Sequence, residues 1–233
     1  GPARPLAAGE RVEVAIAGRA GVPSHGVAAV ALNVTITEAA GPGYLTVFPS
    51  GRPRPGASTV NADRPGATAA NLAIVPLGEG GAVSILSSHG AHALVDVVGY
   101  VTDDTAAPGT EGLFVPLTPT RLVDTRPEQS APGPKGPIAP DGSITVAAAG
   151  VAGVAPEAGA VVLSVAGVDA PPGYVTLWDA GPRPVASTLN LSESPTDTRA
   201  NGAIVRLGDD GHVRAYVKSG GHLVADVTGY FLS

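Results

Sequence analysis

Apolar and polar positions alternate over short runs punctuated by glycine and proline, and the same succession of runs is written twice. Val12, Val14 and Ile16 alternate with polar or small neighbours, the period-2 signature of a half-buried strand, and Ile144, Val146 and Ala148 repeat it. Val27 to Ile36 reads as a longer strand, matched by Ala160 to Val168. Gly43 to Phe48 and Gly173 to Trp178 are aromatic and β-branched, each introduced by a Pro-Gly turn signal. Further strands are predicted near 57–61, 69–76, 82–87 and 92–101, with equivalents in the second copy. Glu79-Gly80-Gly81 and Asp209-Asp210-Gly211 read as hairpin turns, since glycine supplies the positive φ that such turns demand. About seven short strands per copy predict a β-sandwich. Helix is nearly absent, because stretches such as Ala147-Ala148-Ala149 are short and interrupted by Gly150 and Gly153.

The offset between copies is 130 residues, from Gly43 to Gly173 and from Tyr100 to Tyr230. That exceeds the roughly 20–50 residues of a solenoid repeat. The fold class expected is therefore all-β: two tandem β-sandwich-like domains related by an internal repeat. The first spans 1–104, the linker 105–112 and the second 113–233. Gly1-Pro2-Ala3-Arg4-Pro5-Leu6 matches Gly133-Pro134-Lys135-Gly136-Pro137-Ile138, so it reads as native sequence. One stretch exists only once. Residues 113–126, Leu113 to Arg126, have no counterpart in the first copy and are able to complete either one.

With 233 residues, each copy is long enough to bury a core without disulfide or metal. The chain has no cysteine, which excludes disulfide scaffolding, thiol catalysis, Cys-zinc sites and iron–sulfur clusters. Export to an oxidising medium is compatible with that composition. Net charge is −6, with lysine only at Lys135 and Lys218, so no basic face offers itself to nucleic acid or to an anionic membrane. No apolar run approaches the roughly 20 residues of a membrane span. The first residues do not read as a signal peptide.

Phe114-Val115-Pro116-Leu117-Thr118-Pro119-Thr120-Arg121-Leu122-Val123-Asp124-Thr125-Arg126 is followed by Gly-Tyr-x-Thr, Ser-x-x-Asn, Ala-Asn and a closing Asp-Val-x-Gly-Tyr. In that order these motifs resemble a module of exported proteins of high-GC actinobacteria and related phyla, found there in tandem or appended to other domains. The resemblance spans essentially the whole chain. It implies an extracellular or cell-surface, β-rich accessory module, and adds location rather than chemistry. The first copy departs from the pattern by lacking the Pro-Thr-Arg-x-x-Asp-Thr-Arg segment.

Several residues carry candidate chemistry, each with a plainer structural reading beside it. Asp124 with Arg121 and Arg126 forms either a polar binding site at a sheet end or an ion pair pinning the segment to its domain. Asp96 and Asp226 lie in apolar strands, where a carboxylate is costly unless paired, so each is expected to have an arginine or backbone amides as partner. Asn61, Asn71, Asn190 and Asn201 recur at matched positions and suit either sugar hydroxyls or loop backbone. Tyr44 and Phe48, and likewise Tyr174 and Trp178, share a face with Thr46 or Thr176, as a sugar-stacking platform or as core. His25, His89, His92, His212 and His222 do not repeat a ligand spacing, and no metal site or cofactor is predicted. Neither a Gly-x-Ser-x-Gly elbow nor a phosphate-binding loop is present.

The sequence therefore points away from an enzyme and towards a surface that binds. The leading expectation is a secreted or cell-surface structural or adhesive protein whose partner is itself. If each copy needs a segment like Phe114–Arg126, the copy without one has an open edge, and strand donation between molecules would build a fibre. The alternative is a carbohydrate-binding module whose partner is cell-envelope polysaccharide.

Overall fold

The computed structural model of the chain describes residues 4–191 and 198–233, so the Gly1–Ala3 part of the terminal match lies outside the described residues. The chain divides into two compact units, Gly1–Pro108 and Gly109–Ser233. Each is built from two antiparallel sheets, and the fold is two β-sandwich domains.

In the first unit the strands are β1 (Arg11–Ala15), β2 (Val27–Thr37), β3 (Gly43–Pro49), β4 (Val60–Ala62), β5 (Ala69–Pro76), β6 (Ala82–Ser87) and β7 (His92–Thr102). They form one sheet in the order β1-β6-β3-β4 and a second in the order β5-β2-β7. Alternation decides what lies between them. Val30, Leu32, Val34 and Ile36 of β2 face Leu45, Val47, Val83 and Ile85 of the opposite sheet, and all are buried. Burying a side chain of this kind contributes roughly 1.5–3 kcal/mol, so these eight alone supply a substantial core.

The second unit repeats the plan with one strand more. Its strands are β8 (Phe114–Asp124), β9 (Gly142–Ala147), β10 (Ala158–Val168), β11 (Gly173–Trp178), β12 (Leu189–Leu191), β13 (Arg199–Arg206), β14 (His212–Val217) and β15 (His222–Leu232). The sheets run β12-β11-β14-β9 and β13-β10-β15-β8. The segment without a repeat partner is thus the outer strand of the second unit, paired antiparallel with β15 from Phe114↔Phe231 to Asp124↔Val224.

One turn assignment is corrected. Glu79–Gly81 is a single 3₁₀ turn joining β5 to β6, which belong to different sheets; Asp209-Asp210-Gly211 likewise joins β13 to β14. Glycine at positive φ was read properly, at Gly80, Gly81 and Gly211, but the turns cross between sheets and close no hairpin. Local turn chemistry is the same in both cases. Only the pairing of the flanking strands differs.

Candidate functional site

The two sandwiches differ in strand pairing at one edge. β15 lies between β10 and β8, whereas among the described residues β7 pairs with β2 alone and has no strand partner on its other side. The consequence is visible residue by residue. Leu94 is 49% exposed, while its counterpart Val224 is 7% exposed under β8. Val95 and Val97 are half-buried; Ala225 and Val227 are fully buried. Tyr100 is exposed, whereas Tyr230 packs against the core. Val98 and Val101 are exposed as well.

Edge strands are ordinarily blunted by proline, lysine or charge. β8, the outer strand of its own sheet, carries Pro116 and Pro119. β7 reads His-Ala-Leu-Val-Asp-Val-Val-Gly-Tyr-Val-Thr, with no proline or lysine and one charged group, Asp96. Its bulge near Val98 recurs in β15 and so belongs to the repeat rather than to edge protection.

What β8 brings to β15 is specific. Arg121 donates from Nε to Oδ1 of Asp226 at 2.5 Å and from Nη1 to Oδ2 of Asp124 at 2.5 Å. Arg126 donates to Asp124 from Nε at 2.9 Å and from Nη2 at 2.7 Å, and its backbone N–H adds a third contact at 3.1 Å. Lys135 Nζ caps the Asp124 carbonyl at 2.8 Å. Asp124 is wholly buried, and the Arg126 guanidinium beside it holds its carboxyl down at about 2, Arg121 assisting. Thr125 then stitches strand to strand: its N–H donates to Leu223 O, and its Oγ1 accepts from Leu223 N–H at 3.0 Å. Arg121, Asp124 and Arg126 are therefore brought together, and Asp226 joins them.

Asp96, the counterpart of Asp226, departs from expectation. It has no ion pair or side-chain hydrogen bond among the described residues, and burial pushes its carboxyl up. The partner expected from the apolar context exists only where β8 does.

A second difference escaped the sequence reading. A Cβ on Gly229 would run into the ring of Phe114, which lies over that glycine and packs against Phe231 with centroids 5.3 Å apart. Gly99 occupies the same place in β7, has ordinary strand φ, and faces open space, its nearest neighbour being Ala31 Cβ at 4.0 Å. The available signal was a repeated glycine inside an otherwise apolar strand, which marks close approach of another group.

The aromatic faces lie on the side of β3 and β11 away from the core, each overlaid by the loop that follows. Phe48 is 2% exposed, with the Arg11 guanidinium 5.1 Å from its ring centroid. The Tyr44 hydroxyl accepts from Arg54 at 2.9 Å. Tyr174 packs on Tyr216, over which Arg183 stacks at 3.9 Å, and Trp178 Nε1 donates to Gly181 O at 3.2 Å. Thr46 and Thr176 are buried, donating to the loop carbonyls of Ala57 and Ala186. The asparagines divide in two. Asn71 Nδ2 donates to Thr59 O at 2.8 Å and Asn201 Nδ2 to Thr188 O at 2.7 Å, the same tether in each unit. Asn190 accepts from Ser187 Oγ, and Asn61 is exposed.

The histidines are dispersed: His92 lies by Glu38, His212 by Asp210, and His222 Nδ1 contacts Thr125 Oγ1 at 3.1 Å. Among the described residues no three His, Asp or Glu side chains gather as a metal site would require. An open depression in the first unit is lined by Ser24, His25, Asp103 and Thr105, but Asp103 is already engaged by Thr105 N and Oγ1. Compared with protein-family models and with curated proteins, the chain matches none.

Proposed function

We propose that the protein is a non-enzymatic structural or adhesive module of the cell exterior that associates with like modules through the free edge of β7. The observation that carries this reading is the contrast between β15, covered by β8, and β7, whose outer side is unpaired among the described residues, apolar and unblunted. Paired strands in a sheet gain main-chain hydrogen bonds and bury side chains together, so such an edge recruits another strand. The exterior location rests on the resemblance of the Phe114–Arg126 segment and its companion motifs. Polysaccharide binding has less support, because Phe48 is buried and Tyr44, Trp178 and Tyr216 are engaged within their own unit.

Fibre growth by donation of β8 is disfavoured on simple accounting. Removing β8 from β15 opens one edge for each one it fills, and uncovers Leu122, Val123 and Asp124. For the chain alone the productive contact is β7 against β7 of a second copy, an isologous and therefore closed pair. Light scattering over a concentration series tests this. The expected mass rises from 22.8 kDa towards twice that value, and Val98→Lys holds it at the monomer. A wild-type monomer at the highest concentration would contradict the reading.

A further inference from the structure

Resting on that reading, the structure also indicates which strand the edge is shaped to take. We propose that β7 is the receptor edge for an extended segment of the β8 type other than this chain's own Phe114–Arg126. An aromatic side chain of that segment seats on Gly99, and an arginine seven positions later pairs with Asp96.

Two independent features of the first unit carry this. One is electrostatic: Asp96 is a half-buried carboxylate with no cation, at the position where Asp226 has Arg121. The other is steric: Gly99 keeps a notch where Gly229 holds the Phe114 ring, though none of the described residues of the first unit fills it. Neither feature serves the isolated sandwich. Glycine weakens a strand interior, and an unpaired buried carboxylate costs stability. Both make sense once a strand like Phe114–Arg126 lies on β7, aligned as β8 lies on β15. There Phe114 pairs with Phe231 and Arg121 with Asp226, so the equivalents on β7 are Val101 and Asp96.

Competing occupants fit less well. A second β7 would bring another Asp96 and no cation. The chain's own β8 is committed to β15 through Arg121, Asp124 and Thr125. The edge therefore calls for a segment of the β8 type that is not Phe114–Arg126 itself.

The test uses the whole chain and a synthetic peptide with the sequence of Phe114–Arg126, followed by fluorescence anisotropy. The peptide is expected to bind, and to return any self-associated chain to monomer. Replacing its arginine at the Arg121 position with alanine should weaken binding about thirtyfold, the lower end for losing one partner of a desolvated charge pair. Gly99→Val in the chain should abolish binding while the chain stays folded, since a Cβ there meets open space. Asp96→Arg with a peptide carrying glutamate for that arginine should restore binding. Self-association blocked by Val98→Lys, with no peptide binding, would overturn this inference and leave the edge reading standing. Loss of both would overturn both. Peptide binding indifferent to the arginine and to Gly99→Val would overturn the recognition proposed here.

Discussion

Arg121 on β8 reaches across to Asp226 on β15, Nε to Oδ1 at 2.5 Å, and among the described residues of the first unit only the acidic half of that pair has a counterpart. A repeat normally preserves contacts along with fold. Here both copies keep the acidic residue, and its partner lies on a strand with no counterpart among the described residues of the first unit. The chain thus contains its own control: the same sheet with and without its outer strand.

Asp96→Asn should stabilise the first unit. Burial raises the carboxyl's pKa with no cation to offset it, so the ionised form is disfavoured in the folded state. The side chain is only half-buried, which limits the gain to about 1 kcal/mol or less. Asp226→Asn should act in the opposite sense, because it removes the negative charge that pairs with Arg121. Urea unfolding of the two variants measures both signs.

The pH dependence should likewise run in opposite directions. Asp124, held near 2, contributes stability that is complete above the ordinary carboxylate pKa of about 4 and is lost as pH falls towards 2. Asp96 has a raised folded value, so its folded state binds the extra proton, and stability is lost as pH rises from about 4 through that value. Amide-resolved unfolding between pH 2 and 7 should show the second unit weakening in acid, and Asp96→Asn removing the alkaline-going loss in the first. Asp124→Ala should cost the second unit about 3 kcal/mol at neutral pH, as expected when one member of a buried ionic cluster is removed.

Valine at the two matched glycines should give contrasting results. Gly229→Val places a branched side chain against the Phe114 ring and should cost about 1–3 kcal/mol by overpacking. Gly99→Val enters open space in a strand and should gain about 0.5 kcal/mol or more from backbone entropy and strand preference. Thermal unfolding of the pair checks this, and equal effects would mean that β8 has no bearing on the glycine.

Asn71→Ala and Asn201→Ala should each cost about 1 kcal/mol, the usual worth of one side-chain-to-backbone bond. They tether the same loop carbonyl in the two units, Thr59 O and Thr188 O, and the buried Asn201 should lose more than the exposed Asn71. Chemical denaturation of each variant is the check, and a negligible loss would free these amides for a ligand role.

Much of this architecture was legible in the sequence. Period-2 alternation located the strand through Val12 and Val14 and its repeat through Ile144 and Val146, because a half-buried sheet enforces that spacing, while apolar and β-branched runs between turn signals located the long strand ending at Ile36, the paired aromatic strands and the closing strands. Adjacency in space was less legible. The turns at Gly80 and Gly211 look like hairpins, since turn chemistry reports φ and not which sheet the next strand enters. The single copy of Phe114–Arg126 was evident, but its pairing with β15 depends on the path of the chain. Asp226 and Arg121 stand 105 positions apart, and no local pattern joins them.

The most direct measurement is amide hydrogen exchange along His92–Thr102, with and without the Phe114–Arg126 peptide, compared with His222–Leu232 in the same molecule. The outward-facing amides of β7 should exchange far faster than those of β15 in the free chain diluted to monomer, and should slow at least tenfold when the peptide is added. Protection of β7 equal to that of β15 in the free monomer, or no slowing at saturating peptide, would contradict the account.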